Sequence, residues 1–480
     1  MEKHLRSEIK NDSTDSGESL TGTEERMLLR KIDLCLLPLL TLSYMLQFLD
    51  KQTLNFASVM GMIHDLDLRG SQYSWSSSVF YIGYLAFSYP ASFLMVRFPI
   101  GKYLGCTCVA WAICLACHAT TTNFTGLMIV RFFLGAAEAS ISPGFSLITG
   151  MWYKRKEQPF RHGIWFFGNS LAVMFGSLFA YGIAHIQGGL GPWKWLFIIF
   201  GIMTLFWAGV LLWFLPDTPS TARWLTPEQR EKAVDRIRSN QTGIKNNTFK
   251  WDQAFEALTD IKVWLLVLYQ LANSIPNGAY TTFSSLVVSG LGFSRLEVYL
   301  LQIPTGAIHG IFALGSTFLC TKFNNSRCFI AASVSIVSLA GSILVRFGPN
   351  VGSNLLGFFF FIAYASGIPI SLSMITSNVA GFTKKAVTSA MMFIAYCAGN
   401  IIGPFLFFPS EAPTYPSGFL ATTICFGLAV VFIGSLRVVL ARENARRDRL
   451  QKEDRADMSD NSQELTDRTD NENLHFRYVL

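Results

Sequence analysis

Four ionisable residues stand in stretches that are otherwise apolar: Asp50 and Lys51, then Arg131 and Glu138. A charge within a membrane span costs at least ~2.5–3.5 kcal/mol on insertion scales, so each is a candidate for function by default. Arg131 and Glu138 are seven positions apart, which places them on nearly one helix face, about two turns from each other. Gly135, Ala136, Ala137, Ala139 and Ser140 surround Glu138, and such small residues let a neighbouring helix or a substrate come close. With both carboxylates ionised the four charges cancel. Protonating one or both leaves net positive charge, and a cavity that turns cationic on protonation attracts an anion. The competing reading is a structural ion-pair cluster. Asp50, Lys51 and Arg131 read as lying near the outer ends of their spans and could snorkel to the interface, whereas Glu138 is deeper.

The remaining polar candidates are neutral. Asn400 sits in Gly399-Asn400-Ile401-Ile402-Gly403-Pro404, where the two glycines permit close packing and Pro404 must break the helix. Its amide is a substrate contact or an interhelical hydrogen bond. His309 is mid-span, either a packing histidine or a proton relay. Asn169 beside Gly168, Tyr81, Tyr84 and Asn378 are weaker substrate contacts, and Asn273 and Gln302 complete the neutral set.

The elements that must position these residues follow from composition. The chain has 480 residues, 51% hydrophobic and 15% charged, with 41 phenylalanines, against about 25% charged in ordinary soluble proteins. Charge gathers at both ends and around residues 216–262. Elsewhere apolar runs of about 20 residues recur, the length that spans hydrocarbon. This excludes a soluble enzyme, a disordered chain and a nucleic-acid binder, so the net charge of +7 is a matter of membrane topology. Twelve spans are expected, near 32–50, 75–95, 104–120, 125–148, 162–185, 193–215, 262–288, 299–319, 328–346, 354–378, 386–408 and 417–440. Spans this long are helical, because lipid leaves backbone groups no other partner. Of the 39 lysines and arginines, only Arg69, Lys194, Arg295 and Arg346 fall in loops on the side away from the termini, which puts both termini in the cytoplasm.

The polar segment 216–261 divides the spans six and six. It opens on Pro216-Asp217-Thr218-Pro219, and Thr226-Pro227-Glu228-Gln229 reads as a capping box before an amphipathic helix reaching about Arg238. The expected organisation is a disordered tail (1–31), a six-helix half (32–215), this loop, a second six-helix half (262–440) and a disordered tail (441–480). Two such halves suggest an internal repeat with a midplane site between them. The first 25 residues have no apolar core, so no cleavable signal peptide is expected. Nine cysteines lie mostly in spans, and Cys114-x-x-Cys117, followed by His118 but with no acid beside it, reads as helix packing rather than a metal or redox site. No cofactor is expected, and no nucleophile–base pair marks a membrane enzyme.

Several stretches carry a family resemblance. They are Asp50-Lys51 with Asn55; Arg131 through Ala139 with Pro143-Gly144; Trp152 through Glu157 with Arg161; and Trp193 through Phe197. Leu215 through Pro219 with Trp224-Leu225-Thr226, Ser377 through Lys385, and Gly399-Asn400 follow. In this order they resemble the major facilitator superfamily, and within it fungal organic-anion/proton symporters of the allantoate permease type, over nearly all of residues 30–440. The resemblance implies an all-α membrane protein with the major facilitator fold. It implies transport of a small carboxylate such as allantoate, nicotinate, pantothenate or a dipeptide. It further implies that Asp50 and Glu138 carry protons, that Lys51 and Arg131 meet the substrate carboxylate, and that Asn400 is the helix 11 asparagine. Two departures stand out. Lysine replaces the usual arginine at position 51 and cannot grip a carboxylate in a bidentate fork. The usual Gly-x-x-x-Asp-Arg loop reads Met95-Val96-Arg97-Phe98-Pro99-Ile100-Gly101-Lys102, without the acid.

The expectation is therefore a monomeric secondary transporter of the plasma membrane, whose partners are a small organic anion, protons and the lipid bilayer. An efflux carrier for a fungal metabolite is the alternative, since sequence does not fix direction. A nutrient sensor of transporter ancestry is a third reading.

Overall fold

The computed structural model describes residues 22–154, 157–186, 188–238, 249–453 and 468–480. Among them there is helix and no strand. Eleven helical stretches are long and apolar enough to cross a membrane. In the first half these are α1 Thr23–Asp65, α2 Gln72–Arg97, α3 Ile100–Thr120, α4 Phe124–Trp152, α5 Phe160–Ile183 and α6 Pro192–Phe214. The second half opens with α7, Ile261–Gly290, a twelfth helix of 30 residues. It is followed by α8 Arg295–Lys322, α9 Arg327–Phe347, α10 Val351–Asn378, α11 Phe382–Leu406 and α12 Pro416–Gln451. Helix α7 falls short of the eleven in apolarity because it carries Gln270, Asn273, Ser274, Asn277, Thr281, Thr282, Ser284 and Ser285. All are buried and packed against other helices rather than lipid.

The two halves repeat one packing scheme. In the first, α1 packs on α5, α2 on α4 and α3 on α6; in the second, α7 packs on α11, α8 on α10 and α9 on α12. Across the seam, α2 meets α11 and α5 meets α8. The α2–α4 crossing is close because Gly135 has no side chain: a Cβ there would overlap the Phe80 carbonyl of α2. Gly399 and Gly403 do the same for α11 against Ser274, Ile275 and Ala279 of α7. Pro404 follows the last α-helical residue, Ile402, and the chain tightens into a 3₁₀ turn over Gly403–Leu406. The loop helix Pro227–Arg238 forms with its capping box, Gln229 N donating to Thr226 Oγ1 and Thr226 N to Gln229 Oε1, both at 3.3 Å.

Two expectations need correction. Helix α1 does not end at Asp50 but runs on to Asp65. The polar run Asp50-Lys51-Gln52-Thr53 looks like a helix end, yet Asp50, Gln52 and Thr53 are buried inside the bundle. Asp50 and Lys51 thus lie well within the span, where no snorkelling reaches water. The second concerns the tails. Residues 1–21 and 454–467 lie outside the described residues, but Gly22 onward is helical and α12 continues as helix to Glu453. Residues 468–480 dock on the terminal face of the second half, so that part of the expected disordered tail is folded. Tyr478 is buried beside Phe476 and Leu480 in an apolar cluster with Val263 and Leu440, which offsets the entropy of ordering the segment. Arg447, also buried, donates to the carbonyls of Asp470 (2.8 Å) and Phe476 (2.9 Å). Asp470 accepts from Lys384 Nζ (2.7 Å) and Lys262 Nζ (2.9 Å). Burial pushes the Asp470 carboxyl up, but these two ammonium groups overcome it and hold the carboxyl below its usual range.

Candidate functional site

Adjacent residues of a helix point about 100° apart, and α1 uses this to send Asp50 and Lys51 to different neighbours. Lys51 turns to α4 and α2. Its Nζ is 3.7 Å from Glu138 Oε2, and it stands over the rings of Phe80 (5.6 Å) and Tyr84 (5.5 Å). Asp50 turns to α3, where Oδ2 accepts a hydrogen bond from Trp111 Nε1. Asp50 Oδ1 and both Glu138 carboxylate oxygens have no hydrogen-bond partner. Asp50 and Glu138 are fully buried and Arg131 is 2% exposed. Arg131 lies within electrostatic reach of Glu138 and Asp50, with its Nε unpartnered. Gln47, one turn before Asp50, sits beside Glu138, and its Nε2 is likewise unpartnered. Four charges with unused donors and acceptors in a buried volume amount to a polar site poised for a further partner.

The seam between the halves extends this cluster. Tyr81 and Tyr84 meet Tyr396 (6.0 Å) and Phe393 (5.4 Å) of α11 ring to ring. Tyr84 Oη also donates to Ser142 Oγ at 3.4 Å. On the other seam, a Cβ on Gly306 or Gly310 of α8 would press on Met174 and Ser170, or on Phe167, of α5. His309 on that face is buried with both ring nitrogens unpartnered, and so is the Asn169 Oδ1 of α5.

Asn400 is used inside the protein. Its Oδ1 accepts from Asn277 Nδ2 (2.7 Å), its Nδ2 donates to the Tyr396 carbonyl (2.8 Å), and Tyr364 Oη donates to Asn277 Oδ1 (3.2 Å). This is an interhelical network joining α7, α10 and α11. Asn378 is not brought to the centre: it ends α10 and exchanges two hydrogen bonds with Val479 of the docked segment (2.8 and 2.7 Å). Gln302 accepts from Tyr280 Oη at 3.3 Å, leaving its Nε2 free, and Asn273 donates to the Tyr269 carbonyl within α7. Arg155 and Lys156 lie outside the described residues.

Among the described residues, hydrogen bonds between the halves gather at the end away from the termini. Asn55 Nδ2 donates to Ser284 Oγ (2.7 Å) and its Oδ1 accepts from Ser285 N (2.9 Å). Tyr73 Oη donates to the Thr282 carbonyl (2.7 Å), Tyr299 Oη to that of Phe56 (3.1 Å) and Ser78 Oγ to that of Ile401 (2.8 Å). The buried charges therefore sit beneath a closed far end.

Sequence reasoning missed Trp111, Asn277 and Gln47. Trp111 offered no signal, being one aromatic among many in an apolar span. Gln47 and Asn277 could have been found as amides in spans that also hold Asp50 and Asn273.

Comparison with known proteins gives the arrangement its family. The profile described as Major Facilitator Superfamily matches residues 40–404. An uncharacterized transporter of Schizosaccharomyces pombe is 38% identical over 97% of this chain and 89% of its own length. Allantoate permease of Saccharomyces cerevisiae is 35% identical over 96% and 88%, and a thiamine pathway transporter of the same yeast is 32% identical over 94% and 86%. Among solved structures, a D-xylose–proton symporter shares the fold with a TM-score of 0.64 at 15% identity, covering 85% of this chain and 97% of that one. These relatives are transporters and not enzymes. The chain belongs to the major facilitator superfamily and is a multi-pass membrane transporter.

Proposed function

We propose that this transporter carries a small organic anion together with protons by alternating access. Asp50 and Glu138 are the proton-bearing groups, and Lys51 and Arg131 meet the substrate carboxylate. One observation carries the reading: two acids and two bases share one buried cluster in which carboxylate oxygens and Arg131 Nε lack hydrogen-bond partners. Its net charge is zero when both acids are ionised and positive once either is protonated, which couples anion binding to proton binding by linkage. Likeness to an allantoate permease supports the anion, and the symporter fold is compatible with protons. The charge bias of the loops supports cytoplasmic termini, and in this reading the protein is a monomer of the plasma membrane.

The test is thermal unfolding of the purified protein with allantoate, nicotinate, pantothenate, their neutral amides and cationic thiamine at two pH values. A carboxylate at 100 times its Kd should stabilise the protein by about 2.7 kcal/mol, and the gain should be larger at acid pH. Arg131→Ala should lose it. Stabilisation by thiamine or the amides alone overturns the anion reading.

A further inference from the structure

The two acids of the cluster are not equivalent. Glu138 faces a cation, Lys51, at 3.7 Å. Asp50 faces a neutral donor on a helix that otherwise serves as scaffold. Helix α3 packs mainly on α6, with Gly105 against Leu212 and Gly201 against Ala116, and its outer side shows Cys106 and Ile113 at the surface. Through Trp111 it reaches inward. That indole is fully buried, and its N–H meets Asp50 Oδ2, while Oδ1 has no partner.

An indole N–H donates only and does not ionise in this context. It therefore bonds a carboxylate oxygen or the carbonyl oxygen of a carboxylic acid, but cannot supply or remove the proton. We propose that Trp111 is the positioning residue of the coupling site: it clamps Oδ2 of Asp50 in both protonation states and so confines proton exchange to Oδ1. It also turns Asp50 away from Lys51, leaving that ammonium to Glu138 and the substrate. The charged and titratable groups around Asp50 are Lys51 on α1, Arg131 and Glu138 on α4 and the Cys108 thiol on α3. This inference rests on the proton role given to Asp50 above.

Infrared difference spectra recorded on a pH change read the clamp directly, without a transported substrate. The purified protein should show a carboxylic acid C=O band that Asp50→Asn abolishes. In Trp111→Phe, which keeps a ring and loses the donor, that band should move to higher frequency. A band that depends on Asp50 but does not move in Trp111→Phe overturns the positioning role and leaves the symport reading standing. If no band depends on Asp50, the proton role of Asp50 fails and the clamp fails with it. Should Trp111→Phe not fold, the native chain grown with 5-fluorotryptophan carries the test. Its stronger N–H donors should lower the frequency of the Asp50 band, and an unmoved band again overturns the clamp.

Discussion

The two six-helix halves share a scaffold and differ in chemistry. In each, an acid near the terminal-side end of the first helix pairs with a base at the start of the fifth. Asp33 of α1 accepts from Arg161 of α5 at 2.9 Å, and Asp260 at the start of α7 accepts from Lys384 of α11 at 2.8 Å. Each half then captures a segment from outside its bundle. The first takes the loop helix Pro227–Arg238, whose buried Arg236 bonds Glu25 (3.1 Å) and Glu157. The second takes residues 468–480, whose Asp470 joins Asp260 and Glu256 around Lys384. Those three acids lie within 4.8 Å of one another, and the ammonium groups of Lys384 and Lys262 offset two of their three charges. In mid-membrane the likeness ends. The first half buries Asp50, Arg131 and Glu138 and nearly buries Lys51, whereas the second buries the neutral Asn277–Tyr364–Asn400 network. A duplicated packing scheme fixes where helices meet, but leaves free which half holds charge. In the proposed mechanism the uncharged half is a wall against which the charged half changes state.

The largest effect that would sharpen this comparison is at Lys384. Lys384→Met removes one of the two cations that serve the buried Asp260 and Asp470, leaving only Lys262, and breaking a buried pair in this way costs about 3–5 kcal/mol. The repeat-related Arg161→Met should cost about 0–1 kcal/mol, because Asp33 is 27% exposed and screened by water. Thermal unfolding of both variants checks the contrast, and equal losses would show that the inner clusters are energetically alike.

Next in size is the charged half itself. Arg131→Ala should remove the roughly 2.7 kcal/mol of carboxylate stabilisation expected at 100 times Kd. Glu138→Gln should abolish the acid-dependence of uptake into proteoliposomes. Uptake that keeps its pH profile removes Glu138 from coupling.

A smaller effect concerns the docked segment. Because the Asp470 carboxyl is held below its usual range, its contribution is complete above the unfolded value of about 3.9. It is lost only as pH falls through the lower folded value. Hydrogen exchange of residues 468–480 should thus stay slow from about pH 7 down to about pH 5. Release near pH 6 would mean that another group holds the segment. The smallest effect is Asn400→Ala, where one interhelical hydrogen bond in a membrane is worth about 0.6 kcal/mol. As a member of the neutral wall, Asn400 should leave the pH profile of uptake unchanged. A changed profile would move it into the site.

How much was legible in the sequence depends on which physical effect sets each feature. The spans from α2 to α6 and from α8 to α12 were readable because lipid imposes length and apolarity locally. Pro404 and the Thr226–Gln229 box marked their helix boundaries by backbone rules that need no partner. The end of α1 was misread, because a polar run inside a helix resembles its terminus until the helices that bury it are known. Asn378 entered the candidate site because a buried amide in a span looks the same in sequence whether it faces a cavity or, as here, the chain terminus.

By itself the sequence determined the class of molecule, its long apolar spans, the bias of its charge between alternate loops and the four ionisable residues within those spans. Those follow from transfer free energies, which act residue by residue. Only the tertiary structure decided that Lys51 faces Glu138 while Asp50 faces Trp111, that Asn400 is tied to Asn277, and that residues 468–480 fold onto Lys262 and Lys384. These pairings depend on how helices far apart in the chain rotate against one another. That rotation is set by packing at crossings such as Gly135 on α2 and Gly399 on α7, which no single span encodes.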